Sequence, residues 1–118
     1  MNRILTWYAN EIGDTQDRVY YMEQDYIPLH VRIYAREPAV SGDVEIDIKD
    51  DGVSIFETSC FLGESDHETE MAEDFLEELT IEQGSWVSFD VKKLGGAHGI
   101  TVQLELDTAD DREIIPDE

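Results

Sequence analysis

The sequence predicts an all-β fold, one antiparallel β-sandwich with a single short helix or helical turn near residues 69–79. Three observations predict it. Apolar and polar residues alternate one by one through several runs, turn-forming Asp, Gly and Pro residues punctuate those runs, and only one stretch carries helical spacing. Side chains switch faces at every step of a strand, so strict alternation marks an element with one buried and one solvated side.

Taken in order, Ile4–Tyr8 and Arg18–Met22 are the weaker strand candidates, separated by a polar loop. Over 26–35, Ile27, Leu29, Val31, Ile33 and Ala35 fall on one face and Pro28, His30, Arg32 and Tyr34 on the other. Pro28 has no amide donor, which points to a sheet edge or a strand start. A turn-like stretch follows over 37–42. Val44, Ile46 and Ile48 then point inward, while Asp43, Glu45, Asp47 and Lys49 face water. Asp50-Asp51-Gly52 supplies a hairpin turn, because glycine tolerates positive φ, and 53–56 returns as the partner strand. Val87, Phe89 and Val91 alternate with Ser88 and Asp90. A connection over 92–99 carries Gly95, Gly96 and Gly99, after which Ile100, Val102, Leu104 and Leu106 alternate with Thr101, Gln103, Glu105 and Asp107.

One stretch breaks this rhythm. Met71, Ala72, Phe75, Leu76 and Leu79 form a helical stripe, preceded by Ser65-Asp66-His67-Glu68 in capping-box form. A helix of this length is marginal alone and requires tertiary packing.

The chain has 118 residues, enough to bury a core without metal or disulfide staples. Residues 1–107 read as one sandwich domain, of jelly-roll or immunoglobulin-like type. Residues 108–118 read as an acidic tail, either disordered or an arm that docks on a neighbour. With 29 Asp and Glu against 8 Lys and Arg, the formal net charge is −21. Such a chain repels phosphate backbones and anionic membrane surfaces, so neither nucleic acid nor membrane is an expected partner. Basic protein patches and divalent cations are the plausible attractors; the plainer reading of the charge is solubility or adaptation to a salty medium. The single cysteine, Cys60, permits no internal disulfide. The N-terminus lacks a long apolar segment of the secretory type, so synthesis in a cytoplasm is expected.

Signals for catalysis and cofactors fail on inspection, and none of either is expected. His67-Glu68-Thr69-Glu70-Met71 opens like a zinc-protease helix, but Met71 stands where the second histidine belongs. A three-histidine site would need all of His30, His67 and His98. Asp47 to Gly52 departs from a calcium loop at Lys49, and the twelfth position is Thr58. An irregular calcium site from Asp43, Asp50, Asp51 and Asp107 stands against the simpler reading of a solvated acidic surface. The glycine-rich loop lacks a P-loop lysine, and Cys60 reads as a small core residue. Aromatic residues offer another route to function. Tyr34, on the polar face of its strand, with Trp7 and Trp86, makes the candidate binding surface, although burial is the commoner fate of tryptophan.

The run from Gly42 to Phe56, with Ile81 to Val91 and Gly99 to Leu106, resembles segments of small structural proteins of tailed-phage particles; the likeness spans roughly residues 26–107. It implies a non-enzymatic virion protein that decorates the capsid or forms part of the tail. It would be present in several copies or as a homo-oligomer, would contact other capsid or tail subunits, and would be synthesised in the host cytoplasm. Two alternatives stand beside it. One is a carbohydrate- or receptor-binding sandwich, with or without calcium. The other is an acid-rich enzyme or inhibitor, for which only 64–82, with nine acids and no Lys or Arg, offers a row of charge.

Overall fold

The computed structural model describes residues 2–9, 19–58, 60–71, 75–76 and 79–108. Among these residues nine strands form: β1 (Asn2–Ala9), β2 (Tyr20–Tyr21), β3 (Tyr26–Glu37), β4 (Val44–Asp50), β5 (Val53–Ser54), β6 (Cys60–Leu62), β7 (Glu68–Met71), β8 (Trp86–Lys93) and β9 (His98–Thr108). They build two antiparallel sheets. The first runs β1-β9-β3-β7; the second runs β2-β8-β4-β5, with β6 also paired to β4.

Alternation decides how the sheets meet. Leu5, Trp7 and Ala9 of β1, Val31, Ile33 and Ala35 of β3, and Ile100, Val102, Leu104 and Leu106 of β9 are all buried. Opposite them lie Val44, Ile46 and Ile48 of β4, Val87, Phe89 and Val91 of β8, and Cys60 and Leu62 of β6. Each sheet thus has one apolar face, and stacking the two faces removes both from water. Trp7 and Phe89 mark the contact between sheets, their rings stacked at 5.6 Å and 17°. Trp7 also meets Tyr20 edge-on at 5.3 Å.

The expected hairpin forms as read. Asp51 and Gly52 have φ of 51° and 89°, the pair of positive values that a two-residue type I′ turn requires. β5 pairs Asp50↔Val53 and Lys49↔Ser54, and the Ile55 amide continues the ladder to the Ile48 carbonyl at 3.0 Å. The connection between β8 and β9 has a different role: these strands lie in different sheets, so the glycine-rich loop carries the chain across the sandwich. Gly95, with φ of 58°, accepts hydrogen bonds at its carbonyl from the amides of Val40 and Ser41, tying this loop to the one before β4.

Three expectations are corrected. Along β3, pairing with β9 shifts register between Pro28 and His30, leaving Leu29 as an extra residue. This bulge flips the faces on its N-terminal side. Tyr26 and Pro28 are buried, and Ile27 and Leu29 are only partly so. Pro28 is tolerated because β7 covers only Val31–Tyr34, which leaves the other side of β3 unpaired by β7 at Pro28. The helix or helical turn over 69–79 is not found among the described residues. Glu68–Met71 is strand β7, paired with β3, and Phe75 bridges to Phe56 in extended backbone. Ser65, with φ of 71°, sits in a turn that feeds β7 rather than capping a helix. Asp47, expected to face water, is buried, because the Ser54 hydroxyl donates to its Oδ1 at 2.6 Å and the β5 segment covers it. Thr108 is the last residue of β9 and is buried; the rest of the expected tail, 109–118, and residues 10–18, which hold most of the polar loop together with Arg18, lie outside the described residues.

Candidate functional site

The three aromatic residues singled out from the sequence do not share a surface. Trp7 is 3% exposed and belongs to the core, placed there by its alternation with Leu5 and Ala9. Tyr34 is 44% exposed and points from the outer face of the first sheet, since its neighbours Ile33 and Ala35 point inward. Trp86 is 51% exposed on the outer face of the second sheet, preceding the buried Val87. Across the strand pair it meets Tyr21, edge to face at 5.2 Å.

Tyr34 has a different companion. Strand register aligns Tyr8 with Thr101 and Thr101 with Tyr34, so the two tyrosines flank one threonine across β1, β9 and β3. Together with Ala9, Arg36, Gly99 and Ile100 they line an open groove of about 350 Å³. Tyr8 is the most exposed aromatic of this face, at 65%. The sequence carried its signal in the polar-face alternation of Thr6 and Tyr8 against Leu5 and Trp7. On the far side of Tyr34, His67 stacks at 6.4 Å and 28°, its Nδ1 3.0 Å from the Ala35 carbonyl oxygen. Gly99 matters for what it lacks: a Cβ there would stand 2.9 Å from the Arg36 Cβ and 3.2 Å from its Nε. The bare backbone lets the Arg36 side chain lie along the sheet. A second groove, of about 390 Å³, opens at the loop end between Phe61, Lys93, Leu94 and Ser41–Asp43.

At the edge of the first sheet, Arg3 gathers a polar cluster. Its Nη1 donates to Glu23 Oε1 at 2.6 Å and to the Tyr21 carbonyl at 3.1 Å, while its guanidinium lies over the rings of Tyr20 and Tyr26. The Tyr26 hydroxyl donates to the other oxygen of Glu23 at 2.5 Å. That hydrogen bond, helped by a backbone one and by the charge of Arg3, holds the Glu23 carboxyl below its ordinary range. Asp50 is shifted the other way. Burial raises it, a hydrogen bond with Ser85 offsets part of the rise, and the charges of Asp51 and Glu82 add to it.

The acids considered for calcium do not converge. Asp43 Oδ1 accepts from the Glu64 amide, Asp51 Oδ1 from the Trp86 amide, and Asp107 Oδ1 from the Thr108 amide. Among the described residues no group of three or more His, Cys, Asp or Glu side chains is arranged to hold a metal. The histidines are equally dispersed: His30 contacts Glu105 at 2.7 Å, His67 lies against Tyr34, and His98 pairs with Glu37 at the start of β9. Cys60 is buried. Among the described residues no helix is long and apolar enough to cross a membrane.

No protein-family model and no curated protein sequence matches the chain. Among solved structures, a Bacillus endospore appendage, from a family of disulfide-linked pili, is similar over 92% of this chain and 87% of its own, with a TM-score of 0.44 and 12% identity. A structure of the infectious bursal disease virus Gx strain is similar over 89% of this chain and 32% of its own, with a TM-score of 0.43 and 14% identity.

Proposed function

We propose that this chain is a non-enzymatic structural protein of a multi-copy particle, held in a virion head or tail by protein–protein contact. The observation that carries the reading is the placement of Tyr21 and Trp86. Two half-exposed rings pack against each other on neighbouring strands at the rim of the second sheet. Rigid aromatic side chains of this kind anchor protein interfaces, because they remove a large apolar area from water at little entropic cost. β2 is also the terminal strand of its sheet, so a neighbouring subunit can reach both rings from the rim. The resemblance of residues 26–107 to tailed-phage structural proteins supplies the setting, with capsid or tail subunits as partners. A net charge of −21 favours the same reading, because it keeps unassembled copies apart and turns nucleic acid away.

Co-sedimentation with the particles, alongside light-scattering mass, tests the reading. The wild-type chain is expected to sediment with particles, and a Tyr21→Ala/Trp86→Ala variant to stay behind while keeping its circular dichroism. A wild-type chain that remains monomeric and never sediments with particles contradicts it.

A second reading, a carbohydrate- or receptor-binding module, is favoured by the groove between Tyr8 and Tyr34. Two aromatic faces, three hydroxyls and one guanidinium converge there on an open sheet surface.

A further inference from the structure

We infer that the groove between Tyr8 and Tyr34 binds a carboxylate-bearing saccharide, with Arg36 as the residue that selects the carboxylate. The inference deepens the binding-module reading and rests on it.

Size and spacing come first. Tyr8, Thr101 and Tyr34 occupy three adjacent strands, and strands lie roughly 4.8 Å apart, so the tyrosines rise from lines roughly 10 Å from each other. A pyranose ring fits between them, over a floor made by Thr101, with the Arg36 side chain lying over Gly99 at one end. The groove volume of about 350 Å³ is at the small end of ligand sites. His67, stacked on Tyr34, limits where that ring can swing, so part of the ordering cost of binding is already met.

Arg36 then sets the charge. Of the five other described lysines and arginines, three have carboxylate partners: Arg3 pairs with Glu23, Lys49 with Asp90 and Lys93 with Glu45. Among the described residues no carboxylate lies within ion-pair distance of Arg36, in a chain where acids outnumber bases 29 to 8. Its guanidinium is held over Gly99 at the groove's margin. A planar fork of donors matches a carboxylate in two parallel hydrogen bonds. The net charge of −21 disfavours polyanions at long range, so a ligand with a single carboxylate fits better than a sulfated chain.

The face itself favours a sugar over a peptide. β9 is the strand between β1 and β3, so its backbone groups are already spent on both neighbours. An extended peptide laid on this face would leave its own amides without partners. A sugar brings hydroxyls for Tyr8, Tyr34 and Thr101, and a C–H face for the rings.

Titration of the full chain by NMR, with glucuronate and N-acetylneuraminate as acidic sugars, glucose as the neutral one, and a glutamate-rich peptide, tests this. Acidic sugars are expected to shift the resonances of Tyr8, Tyr34 and Thr101. Arg36→Gln should weaken them by about tenfold or more, the worth of a charge-assisted hydrogen-bonded pair. Tyr8→Ala, at an exposed position, should weaken acidic and neutral sugars alike. Equal binding of glucose and glucuronate, unchanged in Arg36→Gln, overturns the role of Arg36 while leaving a sugar site. Silence with every sugar at millimolar concentration overturns the binding-module reading as well. Shifts caused by the peptide alone overturn the saccharide in favour of a protein contact.

Discussion

The Tyr20 hydroxyl accepts a hydrogen bond from the Thr6 amide at 3.2 Å and donates one to the carbonyl of the same residue at 2.8 Å. Thr6 lies on β1, the edge strand of the first sheet, and Tyr20 on β2, the edge strand of the second. Both backbone groups of Thr6 therefore point away from β9, where another chain's strand could pair with them. One phenol closes that opening and ties the two sheets at their margin.

Tyr20→Phe should keep the ring against Trp7 and lose both hydrogen bonds. The expected cost is about 1–3 kcal/mol in urea unfolding, since each bond is worth roughly 1 kcal/mol. Concentration-dependent association is expected too, because the Thr6 edge is opened. Unchanged stability together with unchanged mass by light scattering would contradict the account of this edge.

Acid affects two carboxylates in opposite directions. Asp50 is raised above its ordinary 3.8, so its stabilising contribution is complete below that value and is lost as pH rises through the folded pKa. Asp50→Asn should be more stable than wild type near neutrality, with the margin closing in acid. Glu23 is lowered below 4.5, so its contribution is present above that value and is lost as pH falls through the folded pKa. Glu23→Gln should be less stable near neutrality, converging with wild type in acid. Urea unfolding across pH reads both margins; parallel curves for the two variants would refute the assignment.

Gly95 combines a φ of 58° with close approach: an added Cβ would stand 2.6 Å from the Gly42 carbonyl oxygen. Gly95→Ala should therefore cost about 1–3 kcal/mol, because the neighbour is backbone and cannot swing aside. Gly42→Ala meets nothing within 4 Å and has only its φ of 104° to oppose it, so it serves as the comparison. Equal losses at the two positions would show that crowding at Gly95 has no effect.

Added salt should raise Tm. The ion pairs Lys49–Asp90 and Lys93–Glu45 are loose, both at 3.9 Å, and screening them costs little. Repulsion within a net charge of −21 is the larger effect, and it fades within a Debye length of roughly 10 Å at 0.1 M. A Tm that stays flat or falls between about 0.05 and 0.5 M sodium chloride would reverse that weighing.

Much of the sandwich was legible because alternation depends only on neighbouring residues. Val44, Ile46 and Ile48, and the row Ile100 to Leu106, reach the core as read. What escaped depends on distant partners. The Leu29 bulge is set by pairing between β3 and β9, and no local pattern announces it. The stripe from Met71 to Leu79 has helical spacing, yet β7 is drawn onto the edge of β3 and Phe75 stacks on Phe56 at 5.5 Å. Tertiary pairing overrides a propensity that a marginal helix could not defend. Of the candidate surface, Tyr34 was legible from its face; its pairing with Tyr8 requires the order β1-β9-β3, which connects strands far apart in sequence.

The sandwich is defined by which side of a sheet each residue occupies, and the two tryptophans report that directly. Acrylamide quenching of Trp86→Phe, which leaves Trp7, and of Trp7→Phe, which leaves Trp86, reads the two positions separately. Trp7 should emit blue-shifted light and resist quenching, whereas Trp86 should emit near the wavelength of free indole in water and quench readily. Equal quenching of both, or a protected Trp86 beside an open Trp7, would contradict the two-sheet arrangement.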